Sequence, residues 1–530
     1  MRPHNFTTIG GLRLLTALFP LLPLVVGCIT NLSEPVPLGT ALGAAVLTVE
    51  LCAMPVLLRF HRLFGAVWHL AFNTIAAAVL FSVLTTKGFP NLATCLAVLK
   101  TDAGEASHML WAMRYSVATV AVAWLLQLPG CVSLARRPPD FAISASRWRI
   151  VGLVPLVLPL LAPSVAQLYP GKLFELVLQV GQFRYASEHV NRDYSFDVKV
   201  RTARTESLPP ELVVFVIGES SQADYWQLYG YPEPSTPEMV RRRDAGELLV
   251  FNRHMATASA TRVAVPALLS PFADLLPPPE GSRPSLVTVM AKAGYDTAWL
   301  SVQGPLPQSS EADKVLFTSD SEVLGAAAQY DNRLLEQAAA WTKEHHARPG
   351  FLVLHTAGSH LPYEARYPAT AARWHGHEGK DFPKSQTVGS YLNTVLYTDS
   401  FLTSLMTQMA HEPRPVVLVY LSDHGEASMK GLSRDQVRLE HVMHVPFLMW
   451  GNAQWRKAHQ NEWAEVQRAA LTGQVTNHLN VVPTLTTILG VDYDGKPFER
   501  DLLSAKFNPW TRTPAIRVQT MERVEITPPK

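Results

Sequence analysis

The chain has 530 residues with 46 Lys+Arg against 44 Asp+Glu, and the resulting net charge of +2 lacks the basic excess expected of a nucleic-acid binder. Charged residues make up 17% and hydrophobic residues 48%, which excludes disorder as the main state and reads as an average of two unlike parts. All four cysteines (Cys28, Cys52, Cys95, Cys131) lie in the first 131 residues, so the remainder can hold neither a Cys-based zinc module nor a disulfide scaffold.

The first 169 residues read as a membrane domain, with apolar stretches at 14–30, 36–58, 64–84, 109–128 and 150–169. Each is near the roughly 20 residues that cross a bilayer as a helix. Basic residues alternate between the loops. Arg2 and Arg13 precede the first stretch, Arg59 and Arg62 follow the second, and Arg136, Arg137, Arg147 and Arg149 follow the fourth. That pattern sets the N-terminus in the cytoplasm, and five crossings carry everything after residue 170 to the other side, the periplasm of a bacterium. Glu50, His69, Asn73 and Arg114 are costly in lipid and are expected to face the bundle interior as interhelical partners.

Residues 170–210 form a mixed-charge bridge that includes helical spacing of Leu173, Phe174, Leu176, Val177, Val180 and Phe183, suited to the membrane surface. From 211 to 530 the pattern is that of a soluble α/β domain. Short apolar runs at 212–217, 297–302, 351–355 and 416–421 end in polar, Gly-containing turns, with helix-like segments at 284–293, 331–345 and 390–409 between them. Continuous apolar strands alternating with helices predict a mostly parallel sheet sandwiched by helices, with ligands beyond the carboxyl ends of the strands.

Two of these turns and one further segment carry chemistry. Ser422-Asp423-His424-Gly425-Glu426 offers a carboxylate and an imidazole, both good zinc ligands, at a strand end. Read alone, the same Asp would cap a helix and the His would pack in the core. Glu219 leaves the sheet in Gly218-Glu219-Ser220-Ser221, where an acid at a helix start is the ordinary alternative. Thr257, Ser259 and Thr261 stand among small residues before Pro266, and a Thr hydroxyl is a weak nucleophile that a metal can activate. An N-cap is the alternative there.

Taken together these residues resemble the phosphoethanolamine transferases of the Gram-negative envelope, within the alkaline phosphatase/sulfatase-like superfamily. The family's G-E-S/T-x-R-x-D is similar to Gly218–Asp224, and its T-x-T-A-x-S-x-P, with the nucleophile five residues before the proline, points to Thr261. Its S-D-H-G-E stands intact as Ser422–Glu426. Its H-x-x-G-x-H-x-P resembles His355–Pro362, its N-x-x-x-Y-T-D resembles Asn393–Asp399, and its S-H-D-N is echoed by Asn477–Asn480.

The resemblance implies an alkaline phosphatase-like catalytic domain behind five transmembrane helices of the inner membrane. It implies a zinc ion at Glu219, Thr261, Asp423 and His424, with Thr261 as the nucleophile that carries the covalent intermediate. His360 is implied as a substrate contact, as is a further His for which His441 and His444 compete, His441 being preferred. Thr101 and Glu105 match a donor-lipid loop whose Asn is here Ala97. The implied activity moves phosphoethanolamine from phosphatidylethanolamine to an envelope glycolipid or glycan, such as lipopolysaccharide lipid A or a core sugar. Gln222 in place of the motif's Arg, and the absence of cysteine after residue 131, point toward relatives that modify the core or periplasmic glucans. The rivals are a phosphoglycerol transferase, a phosphodiesterase or sulfatase-like hydrolase, and a non-catalytic membrane-anchored binding protein. No Cys- or Ser-x-Pro-x-Arg sulfatase motif occurs at the position in question.

Overall fold

The computed structural model describes residues 15–29, 38–57, 62–86, 110–111, 113–136, 197–200, 210–275, 284–303, 306–317, 330–375, 388–426, 439–518 and 522–528. The stretch expected to span at 150–169, most of the 170–210 bridge, and the loop with Thr101 and Glu105 lie outside them. The chain divides into two compact units, one drawing on Met1–Lys100 and Leu110–Phe183, the other on Thr101–Met109 and Arg184–Lys530.

The N-terminal unit is helical: α1 (Leu22–Ile29), α2 (Leu38–Leu57), α3 (Arg62–Thr86), α4 (Arg114–Leu125) and α5 (Leu128–Arg136). Its core joins Phe19, Leu47, Leu51, Phe72, Leu80 and Val83. Large apolar side chains such as Phe64, Val67 and Val122 face outward, the reverse of a soluble bundle. Among the described residues, Leu63–Thr85 and Arg114–Ser133 are long and apolar enough to cross a membrane. Leu15–Val26 and Ala44–Met54 are shorter apolar helices. His69 and Asn73 are buried as expected, and Asn73 Nδ2 donates to the Thr16 carbonyl at 3.2 Å. Arg114 departs from expectation. It is exposed, lies over the rings of Trp111 and Tyr115, and donates to the Trp111 carbonyl. Aromatic faces and a free helix-end carbonyl give the guanidinium partners without the bundle interior.

In the C-terminal unit the strands are β1 (Val198–Val200), β2 (Leu212–Gly218), β3 (Leu248–Val250), β4 (His254–Met255), β5 (Asp296–Ser301), β6 (Lys314–Phe317) and β7 (Gly350–His355). They continue as β8 (Val416–Ser422), β9 (Phe447–Gly451), β10 (Thr476–Asn477), β11 (Val491–Tyr493), β12 (Thr513–Arg517) and β13 (Glu522–Ile526). Seven form the main sheet in the order β3-β9-β8-β2-β7-β5-β6. The five from β8 to β6 run parallel, while β9 is antiparallel to β8 and β3 to β9, so the sheet is mixed at one edge. Within the expected bridge, β1 pairs with β11.

The central strand β2 reads Leu-Val-Val-Phe-Val-Ile-Gly and is buried at every position. Val213, Phe215 and Ile217 point to one core, with residues of α6 (Thr261–Leu268), α7 (Leu286–Lys292) and α9 (Val481–Ile488); Leu212, Val214 and Val216 point to the other, with α8 (Val388–Ala410). A continuous apolar run is therefore what a strand covered on both faces requires, each such side chain contributing about 1.5–3 kcal/mol on burial. Register then sets the site. Ile217 pairs with His355 on one side and Leu421 on the other, and Gly218 pairs with Ser422, so the turns after β2, β7 and β8 leave the same edge side by side.

Candidate active site

Glu219 is the first residue past β2, and Asp423 and His424 are the first two past β8. All three are buried, and one ligand atom from each lies within 4.8 Å of the others. The turn after β2 is held rigidly. The Ser220 N–H donates to Asp423 Oδ1 at 3.0 Å, its hydroxyl donates to Glu219 Oε1 at 2.6 Å, and the Tyr391 hydroxyl donates to its carbonyl at 2.8 Å. These bonds keep Ser220 in the left-handed region at φ 54°, a conformation costly for a residue with a Cβ. The loop after β7 closes on the same turn. Gly358 has φ +48°, and a Cβ there would meet the Glu219 backbone oxygen at 2.7 Å, so only glycine lets the loop approach.

Thr261 opens α6, and its hydroxyl donates to Glu219 Oε2 at 2.9 Å while lying 3.4 Å from His424 Nε2. The neighbouring hydroxyls are placed differently. Thr257 is fully buried and its oxygen pairs with His478 Nδ1 at 3.3 Å, and Ser259 is also buried. Of the three hydroxyls considered from sequence, the bonds to Glu219 and His424 belong to Thr261. As the first residue of a helix, it also sits where the macrodipole favours negative charge.

The donor set fits a divalent cation. His424 Nδ1 faces the Gly425 carbonyl at 2.8 Å, and a carbonyl can only accept, so Nδ1 carries the proton and Nε2 presents a lone pair. That lone pair lies 3.5 Å from Glu219 Oε1 and 3.4 Å from Asp423 Oδ2, and Asp423 Oδ2 is buried without a well-formed hydrogen bond. Two donors about 2.1 Å from an ion at the tetrahedral angle lie about 3.4 Å apart, which is the spacing found here. Acceptors facing acceptors in a dry pocket need a positive charge between them. The carboxyls register the same conflict. Burial works against ionising Glu219, yet His424, His360 and the Ser220 hydroxyl hold it well below the usual range. Burial and the charge of Glu219 push Asp423 well above it.

Supporting residues complete the site. Gln303 Nε2 donates to Glu219 Oε2 at 3.2 Å and lies 3.2 Å from His355 Nε2, and His355 Nδ1 meets Ser301 Oγ at 3.2 Å. Burial brings the His355 imidazole down to about 4, so it serves as a neutral spacer. Asp331 accepts from the Ala357 and Gly358 N–H groups at 2.7 and 3.1 Å and so fixes the loop that carries His360. The His360 Nδ1 is turned to the Leu361 carbonyl at 2.7 Å. His441 and His444 both place Nδ1 on Asp224, at 2.6 and 2.7 Å. Gln303 and Asp331 escape sequence reading because each is a lone polar residue with long-range partners; the one signal was the position of Gln303 just past a strand end. The Asn393–Asp399 motif proves architectural. Asn393 Oδ1 accepts from the Arg373 and Trp374 N–H groups, and Asp399 accepts from the Glu238 and Met239 N–H groups at a helix start.

A family model described as Sulfatase matches residues 211–491. Phosphoethanolamine transferase EptC of Escherichia coli is 26% identical over 325 residues, which is 57% of this chain and 55% of that protein, so the match spans about half of the relative's length. The integral membrane lipooligosaccharide phosphoethanolamine transferase A (EptA) from Neisseria meningitidis is similar in structure, with a TM-score of 0.74 at 19% identity over 93% of this chain and 98% of that one. The C-terminal periplasmic domain of EcEptC from Escherichia coli, solved in complex with Zn, gives a TM-score of 0.52 at 23% identity over 62% of this chain and 95% of that one.

Proposed function

The chain belongs to the sulfatase family, and from that premise we propose that it is a membrane-bound, zinc-dependent transferase of phosphoethanolamine. The donor in this reading is phosphatidylethanolamine, and the acceptor is a lipopolysaccharide lipid A or core sugar or a periplasmic glycan. The observation that carries the proposal is the Thr261 hydroxyl bonded to Glu219 and facing His424 beside Asp423. EptC and EptA, which share the fold, are named for this transfer. Apolar helices preceding the catalytic unit suit a lipid donor.

Glu219, Thr261, Asp423 and His424 would hold the zinc. When bound, the ion lowers the pKa of a hydroxyl and screens charge on phosphoryl oxygens. Deprotonated Thr261 Oγ forms a bond to the donor phosphorus as the bond to the diacylglycerol oxygen breaks. The leaving oxygen takes a proton from His441 Nε2, and phosphoethanolamine remains on Thr261. An acceptor hydroxyl then returns a proton to His441 as its oxygen attacks phosphorus, and the bond to Thr261 Oγ breaks. His360 contacts the transferred group. Mass spectrometry of envelope glycolipids and glucans from cells with and without the gene tests the reading. One species gaining a phosphoethanolamine is the expected result; a phosphoglycerol gain, or no difference, overturns it.

The membrane arrangement belongs to the same proposal: five spans, the N-terminus in the cytoplasm and the catalytic unit in the periplasm. Alkaline phosphatase fused after Lys530 is then active, and an inactive fusion of a normally expressed chain contradicts the orientation. Thr101 and Glu105, four apart and hence on one face if helical, are assigned to donor binding. Their alanine variants raise KM for the lipid donor while kcat stays within a few-fold of wild type. Unchanged kinetics would remove them from the site.

A further inference from the structure

The turn after β2 departs at Gln222 from the Arg of the motif it resembles, and the consequence lies two residues on. Gln222 Nε2 donates to Asp224 Oδ2 at 3.1 Å. That carboxylate, which an arginine at 222 could otherwise neutralise, is bound instead by two imidazoles. His441 Nδ1 lies 2.6 Å from Oδ2 and His444 Nδ1 lies 2.7 Å from Oδ1. A carboxylate only accepts, so both rings carry a proton on Nδ1.

The two histidines are not equivalent. His444 places its Nε2 3.0 Å from the Asn252 carbonyl, so both of its ring nitrogens face oxygen acceptors, and its side chain is 12% exposed. His441 binds through Nδ1, its side chain is 40% exposed, and Nε2 is its remaining position. The segment that carries both is stitched to the site. Gly425 N–H donates to the Val442 carbonyl at 2.7 Å, Ala223 N–H to the His444 carbonyl at 2.9 Å, and Ala256 N–H to the Met443 carbonyl at 2.7 Å. These bonds tie it to the turn after His424, to the turn after Glu219, and to the strand that leads to Thr261.

We propose that Asp224 is a positioning residue for phosphoryl transfer: it holds His441 with Nδ1–H inward and Nε2 presented to the reacting group, while His444 is the fixed half of the clamp that balances the carboxylate where the motif has Arg. This rests on the functional reading above. Among the described residues, the groups facing Asp224 are the two imidazoles from the 441–444 segment and the Gln222 amide of its own turn. Burial works against the carboxylate's charge, but the His444 and His441 bonds hold Asp224 below its usual range.

The test is Asp224→Asn in the full-length, zinc-loaded enzyme, assayed on phosphatidylethanolamine and on a soluble aryl phosphodiester. An Asn accepts from one ring only and turns its NH2 toward the other, which forces the wrong tautomer there. The expected result is a kcat about 100-fold lower. KM for the donor and the zinc content stay at wild-type levels, so the loss falls on kcat alone. His441→Gln lowers kcat similarly, and the Asp224→Asn/His441→Gln double variant is no worse than His441→Gln alone, because Asp224 acts through that ring. Gln222→Arg, which competes with the rings for the carboxylate, lowers kcat by a smaller factor with KM unchanged. An unchanged kcat in Asp224→Asn, additive losses in the double variant, or loss of zinc would overturn the positioning role and leave the transferase reading standing. If the wild type transfers a different group but these Asp224 effects hold, the transferase reading falls and the positioning role stands.

Discussion

Thr261→Ala is expected to lower transfer by roughly 10⁴-fold or more, the scale on which loss of a covalent nucleophile acts. The geometry gives the reason for a single winner. Metal activation reaches only an oxygen about 2 Å from the ion, and the Thr261 hydroxyl is the one bonded to Glu219 and facing His424. Thr257 spends its hydroxyl on His478, whose imidazole burial holds down at about 3 and therefore neutral. The His478 Nε2 faces the Ser422 carbonyl at 3.1 Å, which makes Nε2–H the donor and leaves Nδ1 to accept from Thr257. Thr261→Ser keeps the oxygen at the same place and retains a measurable fraction of turnover. Zinc content falls little in either variant, because Glu219, Asp423 and His424 remain. A Thr261→Ala enzyme with turnover near wild type would end the assignment.

Asp423→Asn and His424→Ala are each expected to lose bound zinc and nearly all turnover. The Asn variant separates metal binding from folding. Asp423 Oδ1 accepts from the Ser220 and His424 N–H groups at 3.0 and 2.7 Å, and an Asn Oδ1 can keep both bonds. The other branch becomes an NH2 where Oδ2 now faces His424 Nε2, and an amide nitrogen cannot ligate a cation. The loss should exceed the roughly 10–100-fold in affinity that removal of a supporting partner costs. Metal analysis of the purified protein alongside Tm decides the matter. Both variants with full zinc and full turnover would place the metal elsewhere.

How far the sequence carried the fold depends on what each element had to say locally. The runs at 212–217, 351–355 and 416–421 became β2, β7 and β8 because two-sided burial demands an unbroken apolar run, and that demand is visible in one dimension. The antiparallel edge was not read. The Phe447–Gly451 strand follows a short helix and carries no turn signature of its own, so its direction is set by pairing with β8 and β3. In the helical unit, hydropathy windows found the apolar segments: the 36–58 stretch contains the helix Leu38–Leu57, and the 64–84 stretch lies within Arg62–Thr86.

The site was legible where residue type and strand end coincide. Glu219, Asp423 and His424 each follow a strand directly, and the structure brings them together with Thr261. His360 lies in a loop held by Asp331, and His441 lies in the short helix Leu439–Met443 and binds Asp224. Those two acids were not assigned, for a physical reason. Asp331 opens a helical segment, where an acid is ordinary, and its partners lie 26 and 27 residues away. Asp224 meets its histidines across 217 and 220 residues, a pairing that composition and spacing do not encode.

The most direct test of the central claim is the mass of the Thr261 peptide after the full-length protein is incubated with phosphatidylethanolamine and no acceptor. The account predicts a gain of one phosphoethanolamine on Thr261, discharged when acceptor is added and absent from Thr261→Ala. A gain on Ser259 or Thr257 with Thr261→Ala still active would contradict the nucleophile. No covalent gain while transfer to acceptor proceeds would contradict the two-step mechanism itself.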